Sequence, residues 1–158
     1  MVSFTILALT GLVQKFSGSE ISVSIIGMLG GIESVRIIHR IAATVLMVAV
    51  VYHVGAVFYK LYVKRARPTM VPGMNDVQAA VGTLQYNVGK RKNEPQQGRY
   101  TFQEKMEYWA FVWGTAIMVI TGFMLWNPIA TTRFLSGEFI PAARIAHGSE
   151  AVLAVLAI

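Results

Sequence analysis

The residues of this chain best suited to chemistry are its three histidines, at positions 39, 53 and 147. The first two enclose thirteen residues in the strongly apolar segment HRIAATVLMVAVVYH. A polar imidazole ring in apolar surroundings must find a partner. Because histidine is also a common metal ligand, and polar groups inside a membrane are usually functional, all three are candidates for a site.

The spacing of His39 and His53 limits what they can bind. In a helix, fourteen residues rise by about 21 Å and end about 40° short of four full turns. The two rings therefore lie on nearly one face of the helix, one near each end. They cannot share a single metal ion, but they can serve two stacked cofactors. Since imidazole is a standard axial ligand of haem iron, the spacing predicts two haems.

The segments that must position these residues are too apolar for a soluble protein. The chain is 54% hydrophobic and 14% charged, against about 25% charged residues in soluble domains. Ile37–Tyr59 and Tyr108–Trp126 are apolar runs of 23 and 19 residues, each long enough to cross a membrane as a helix. Shorter apolar runs stand at both ends of the sequence and are interpreted as pieces of two more transmembrane helices.

We therefore expect an all-α membrane protein, a four-transmembrane-helix haem-binding bundle whose first and last helices are truncated. It is expected to form a single domain over residues 1–158. The four predicted helices cover residues 1–16, 36–60, 106–126 and 142–158, and a loop covers 61–105.

Basic residues predict the orientation of the chain. Nine of them lie between Lys60 and Glu107, and few lie in the connections Ser17–Val35 and Asn127–Ala143. By the positive-inside rule the loop at 61–105 is cytoplasmic. Its charge is thereby explained without a nucleic-acid partner. Within this loop, Asn75–Tyr86 is expected to form a short amphipathic helix at the lipid surface, capped by Asn75 or Asp76.

This orientation places His39 and His147 at matching depth, just inside the outer surface, on different helices. One haem is expected between them. His53, near the inner surface, needs a partner that falls three residues beyond Ile158 if the last helix repeats the spacing. Arg36 and Arg40 stand beside His39 and are candidate partners of the haem propionates; contact with lipid head groups is the alternative.

Several blocks of sequence resemble the membrane cytochrome b subunit of respiratory formate dehydrogenase (the gamma subunit), thiosulfate reductase and nickel–iron hydrogenase. The blocks are LALTGL (7–12), RIIHRIAA (36–43), GRYTFQEKMEYWAF (98–111), TGFMLWNP (121–128) and RIAHGSEAVLAV (144–155).

The resemblance implies a dihaem b-type cytochrome in the prokaryotic inner membrane. It would carry electrons between membrane quinone and partners on the outer face, namely an iron–sulfur or multihaem subunit and a catalytic subunit. His39 and His147 match the ligands of the outer haem. The ligand of the inner haem stays open between His53 and a histidine at the start of the first helix, before Met1.

The resemblance also implies a quinone pocket on the cytoplasmic side, at Gly98, Tyr100, Gln103 and Lys105. The alternative is that these positions form an interfacial loop, with Tyr100 as an anchor and Lys105 as one of the cytoplasmic charges.

Two further classes of function compete with electron transfer. One is a haem-free membrane anchor whose histidines join helices by hydrogen bonds, and the other is a transporter subunit with histidines in a proton pathway. The chain contains no cysteine, which excludes disulfides, thiolate metal sites and haem attached through cysteine.

Overall fold

The computed structural model describes residues 2–96 and 98–157, in which the regular secondary structure is helical and no strand occurs. The predicted all-α class is confirmed. In chain order the helices are α1 (Val2–Lys15), α2 (Glu20–Met28), α3 (Ile32–Phe58), α4 (Met74–Asn87), α5 (Phe102–Trp126), α6 (Pro128–Thr131) and α7 (Phe139–Leu156), with a π-helical turn at Tyr59–Val63 directly after α3.

Three helices of the described chain are long and apolar enough to cross a membrane: Ile32–Val63, Phe102–Trp126 and Phe139–Leu156. They indicate a multi-pass membrane protein. The apolar helix α1 has 14 residues, fewer than a full span of about 20 needs. A four-helix haem bundle therefore stays a prediction.

The two connections expected on the outer side contain helices of their own. Ser19 caps α2, because its side chain accepts a hydrogen bond of 3.3 Å from the Ser22 N–H. After α2 the chain turns through Gly30 and Gly31, with φ of 84° and 103°, a region open to glycine. Helix α3 consequently begins at Ile32, before the predicted start at residue 36. The short helix α6 lies in the connection before α7, as α2 lies in the connection before α3. Pro128 stands at the start of α6, where the N–H that proline lacks would have no partner within the helix.

The chain divides into two compact units, one made of residues 1–57 and 114–158 and the other of residues 58–113. In the first unit α1 packs against α2 and α7. Its few buried hydrophobic residues include Val35, Ala42 and Ala143. These stand three or four residues from His39 or His147, on the same helical faces. The closest packing of this unit therefore surrounds the two histidines.

Most large apolar side chains of the three long helices are exposed, among them Val45, Val48 and Val51 on α3. Such a continuous apolar surface is typical of a membrane or protein interface.

In the second unit α4 confirms the short helix expected in the basic loop, but its cap differs from the expectation. The N-cap is Gly73, and Asp76 is the third residue of the helix, where its carboxylate accepts the Gly73 N–H at 2.7 Å. An acidic residue at this position satisfies a free backbone donor from inside the helix. Farther along α4, a Cβ on Gly82 would lie 3.2 Å from the side chain of Pro95, so the following loop is packed closely against the helix.

Candidate functional site

The structure brings the rings of His39 and His147 together. His39 stands on α3 and His147 on α7, and their ring centres are 6.4 Å apart with an angle of 66° between the planes. A metal–imidazole bond is about 2 Å long, so two rings bound to opposite sides of one ion have centres about 6 Å apart. The separation of the two rings therefore suits one metal ion between them.

Each ring is bound by a threonine of a neighbouring helix. Nδ1 of His39 lies 2.8 Å from Oγ1 of Thr10 on α1. Nδ1 of His147 lies 2.9 Å from Oγ1 of Thr121 on α5. Thr10 and Thr121 are among the few buried polar residues, with 7% and 8% of their surface exposed.

The threonine hydroxyls determine which nitrogen of each ring carries the proton. Thr10 donates to the carbonyl of Ile6, and Thr121 to that of Ile117, both at 2.6 Å. A hydroxyl has one proton to donate. Each threonine must therefore accept from its histidine, so Nδ1 bears hydrogen and Nε2 keeps its lone pair. An imidazole in this tautomer can bind a metal through Nε2.

A glycine follows each threonine and lies against the same ring. A Cβ on Gly11 would be 3.4 Å from Cε1 of His39, and a Cβ on Gly122 would be 3.3 Å from Cε1 of His147. These contacts are tight, so a larger residue at either glycine would press on the ring. The rings thus lie closely against α1 and α5.

Sequence reasoning missed Thr10 and Thr121 as site residues. The dipeptide Thr-Gly occurs twice in the chain, at 10–11 and 121–122, both times inside a block that carries the family resemblance. This repeated dipeptide was the signal in the sequence that could have identified the two threonines. In the structure one copy contacts His39 and the other contacts His147.

The two arginines predicted to bind propionates have protein partners in the structure. Arg36 pairs with Glu33, one turn earlier on the exposed surface of α3. The guanidinium of Arg40 lies 5.3 Å from the ring centre of Trp126 at the end of α5, a cation–π distance. Arg40 is thus held near His39, while Arg36 interacts with the surface of its own helix.

His53 lies apart from the paired rings, fourteen residues beyond His39 on α3 and exposed. Among residues 2–96 and 98–157, no group of three or more His, Cys, Asp or Glu side chains is placed to hold a metal ion. A metal ion held by His39 and His147 would therefore need most of its ligands from a cofactor. Haem provides them, since its macrocycle binds the iron and the protein adds axial imidazoles.

The second unit contains a cavity of about 560 Å³ beside α4. Its lining includes Gly98 and Lys105, two of the four residues predicted to contact quinone. The other two have identified neighbours: Gln103 donates to the Glu107 carboxylate at 3.2 Å, and the Arg99 guanidinium lies 5.5 Å from the Tyr100 ring centre.

Lys105 forms an ion pair in the wall of this cavity. Its Nζ lies 2.8 Å from both carboxylate oxygens of Asp76, and the two side chains are 12% and 13% exposed. The hydrogen bond from Lys105, with a second from the Gly73 N–H, lowers the pKa of Asp76. Sequence reasoning named Asp76 only as a candidate helix cap and not as a partner of Lys105, because nothing local links residues 29 positions apart.

Comparison of the chain with protein-family models, with curated proteins and with solved structures finds no match.

Proposed function

We propose that this chain is a b-type cytochrome subunit of a membrane oxidoreductase complex, in which His39 and His147 are the axial ligands of one haem. The observation that carries the proposal is the pair of neighbouring imidazoles, 6.4 Å apart between ring centres. Both rings have Nδ1 engaged by a threonine, which leaves Nε2 of each available to a metal.

The surroundings of the two rings also fit a haem. Gly11 and Gly122 allow α1 and α5 to lie close against the two rings. The apolar helices would supply surroundings of low polarity, which tune a bound iron. When bound, haem supplies the one-electron chemistry. The residues of this chain would hold the ring planes and keep the tautomer.

Spectroscopy of the purified membrane protein tests this proposal. The reduced-minus-oxidised spectrum and the pyridine haemochrome assay are expected to show b haem with paired-histidine ligation. His39→Ala and His147→Ala are each expected to remove the same haem. A wild-type protein without haem bands would contradict the proposal.

We further propose that the cytoplasmic cavity of the second unit receives membrane quinone. Its volume of about 560 Å³ lies within the range of small-molecule sites, about 300–1,000 Å³. Its lining combines apolar residues with the polar side chains of Asn75, Asp76, Gln96 and Lys105, and Lys105 is held by Asp76. Lys105→Met is expected to raise the quinol concentration needed for half-maximal haem reduction, and Lys92→Met, at an exposed position, is the matched control.

The primary substrate would be converted by partner subunits on the outer face, an iron–sulfur or multihaem protein and a catalytic protein. This part of the proposal, like the prokaryotic inner membrane as the location, is supported by the sequence resemblance and the predicted orientation.

A haem-free anchor is the second candidate function. It is favoured by the two threonine–histidine hydrogen bonds, since bonds of this type also join membrane helices without a cofactor. The same absorbance measurement separates the two candidates, because the anchor has no haem bands.

A further inference from the structure

The same arrangement of three residues occurs on both sides of the paired rings. On one side α1 supplies Thr10 and Gly11 to the histidine of α3, and on the other α5 supplies Thr121 and Gly122 to the histidine of α7. The two Nδ1–Oγ1 distances are 2.8 and 2.9 Å. The two threonines are also buried to the same degree.

We propose that Thr10 and Thr121 are positioning residues that set the tautomer, the orientation and the electron-donating strength of the two axial histidines. This inference rests on the proposed haem function. Neither threonine is expected to touch the haem iron, and each acts through its histidine.

The proposal follows from the proton count at each site. The hydroxyl proton is committed to the carbonyl four residues earlier in the helix, so the oxygen can only accept from the ring. An acceptor at Nδ1–H holds the ring in one plane and makes the imidazole a stronger base at Nε2. Loss of such a partner typically lowers metal affinity about 10- to 100-fold.

The direction of the redox effect also follows. A more basic imidazole stabilises the ferric state more than the ferrous state. Removing the acceptor weakens this preference, so the midpoint potential of the haem moves to a more positive value. Since both threonines have similar geometry, either substitution is expected to shift the potential in the same direction, and the double variant to shift it further.

Valine is the informative replacement, because it keeps the branched shape of threonine but accepts no hydrogen bond. Thr44→Val is the matched control. Thr44 also donates to the carbonyl four residues earlier, at 2.9 Å, but it is exposed on α3 and bonded within its own helix. The control therefore measures the general effect of replacing a helical threonine.

The experiment uses the full-length protein in its membrane complex, with potentiometric titration and haem retention as readouts. In Thr10→Val and Thr121→Val we expect a more positive midpoint potential and haem loss about 10-fold or more faster. Thr10→Ser and Thr121→Ser are expected to restore both values, and Thr44→Val to match the wild type. If the valine variants fail to accumulate, Thr10→Ala and Thr121→Ala allow the same comparison with less side-chain volume.

Wild-type potential and haem retention in both valine variants would overturn the proposal, and so would serine variants that behave like valine. Those results leave the haem itself in place. A wild-type protein without haem instead contradicts the proposed function, so failure of this inference and failure of the function can be told apart.

Discussion

The imidazole rings of His39 and His147 lie with 6.4 Å between their centres and 66° between their planes, although the two residues are 108 positions apart in the chain. Their helices carry the closest packing of the first unit at these positions. Two ordered imidazoles at this separation match the span of a single metal ion with two axial ligands.

The role of His53 is testable by haem counting. His53→Ala is expected to remove one of two haems per chain and to leave the spectrum of the His39–His147 haem unchanged, since the two positions are about 21 Å apart along α3. The pyridine haemochrome assay gives the count. Two haems retained in the variant would show that the second haem has its ligands elsewhere.

The narrowness of the site is testable at Gly122. The valine side chain of Gly122→Val would press on the ring of His147, because even a Cβ would be 3.3 Å from its Cε1. We expect a broadened haem spectrum and at least a several-fold faster loss of haem. Gly55→Val is the control, since nothing lies within 4 Å of a Cβ there; equal effects at the two glycines would argue against a tight site.

The ion pair of Asp76 and Lys105 is expected to hold α4 against the beginning of α5. Asp76→Asn removes the negative charge next to a lysine that is 12% exposed, and loss of one partner of a buried pair is destabilising. We expect faster proteolysis within residues 88–96. Glu94→Gln, in an exposed part of that loop, serves as the control, and equal proteolysis of Asp76→Asn and wild type would contradict a structural role for the pair.

The same pair predicts a pH dependence. The pKa of Asp76 is lowered in the folded protein. The stabilisation that the ionised Asp76 gives to the fold is therefore complete above the ordinary aspartate pKa of about 3.9. It is lost as the pH falls through the lower folded value. Hydrogen exchange of α4 is therefore expected to keep its protection down to about pH 4 and to lose it below. In Asp76→Asn this step should be absent.

The orientation of the chain can be tested by cysteine labelling, since residues 1–158 contain no cysteine. Lys92→Cys in the basic loop is expected to react with a membrane-impermeant maleimide only from the cytoplasmic side, because basic loops stay inside. Ser136→Cys, between α6 and α7, should react only from the outer side. The reverse pattern would contradict the predicted orientation of the chain, in which the basic loop is cytoplasmic.

Some features of this site were within reach of the sequence. Matching depth alone paired His39 with His147, since the basic loop orients the helices and each histidine stands near the start of its predicted helix. The Thr-Gly repeat was visible in the sequence too, but the histidine that each threonine contacts was not. Which side chain meets Nδ1 of a histidine depends on how two helices are rotated against each other, and exposed apolar residues all around each span leave that rotation undetermined.

The sequence by itself determined the helical membrane class, because runs of about 20 apolar residues can satisfy their backbone groups in lipid only as helices. It also placed the short helix α4 in the basic loop. Tertiary structure alone decided the contacts between distant residues: Thr10 with His39, Thr121 with His147, and Asp76 with Lys105. Each depends on a hydrogen bond shorter than 3 Å between different helices, and only the packing of those helices sets such a distance.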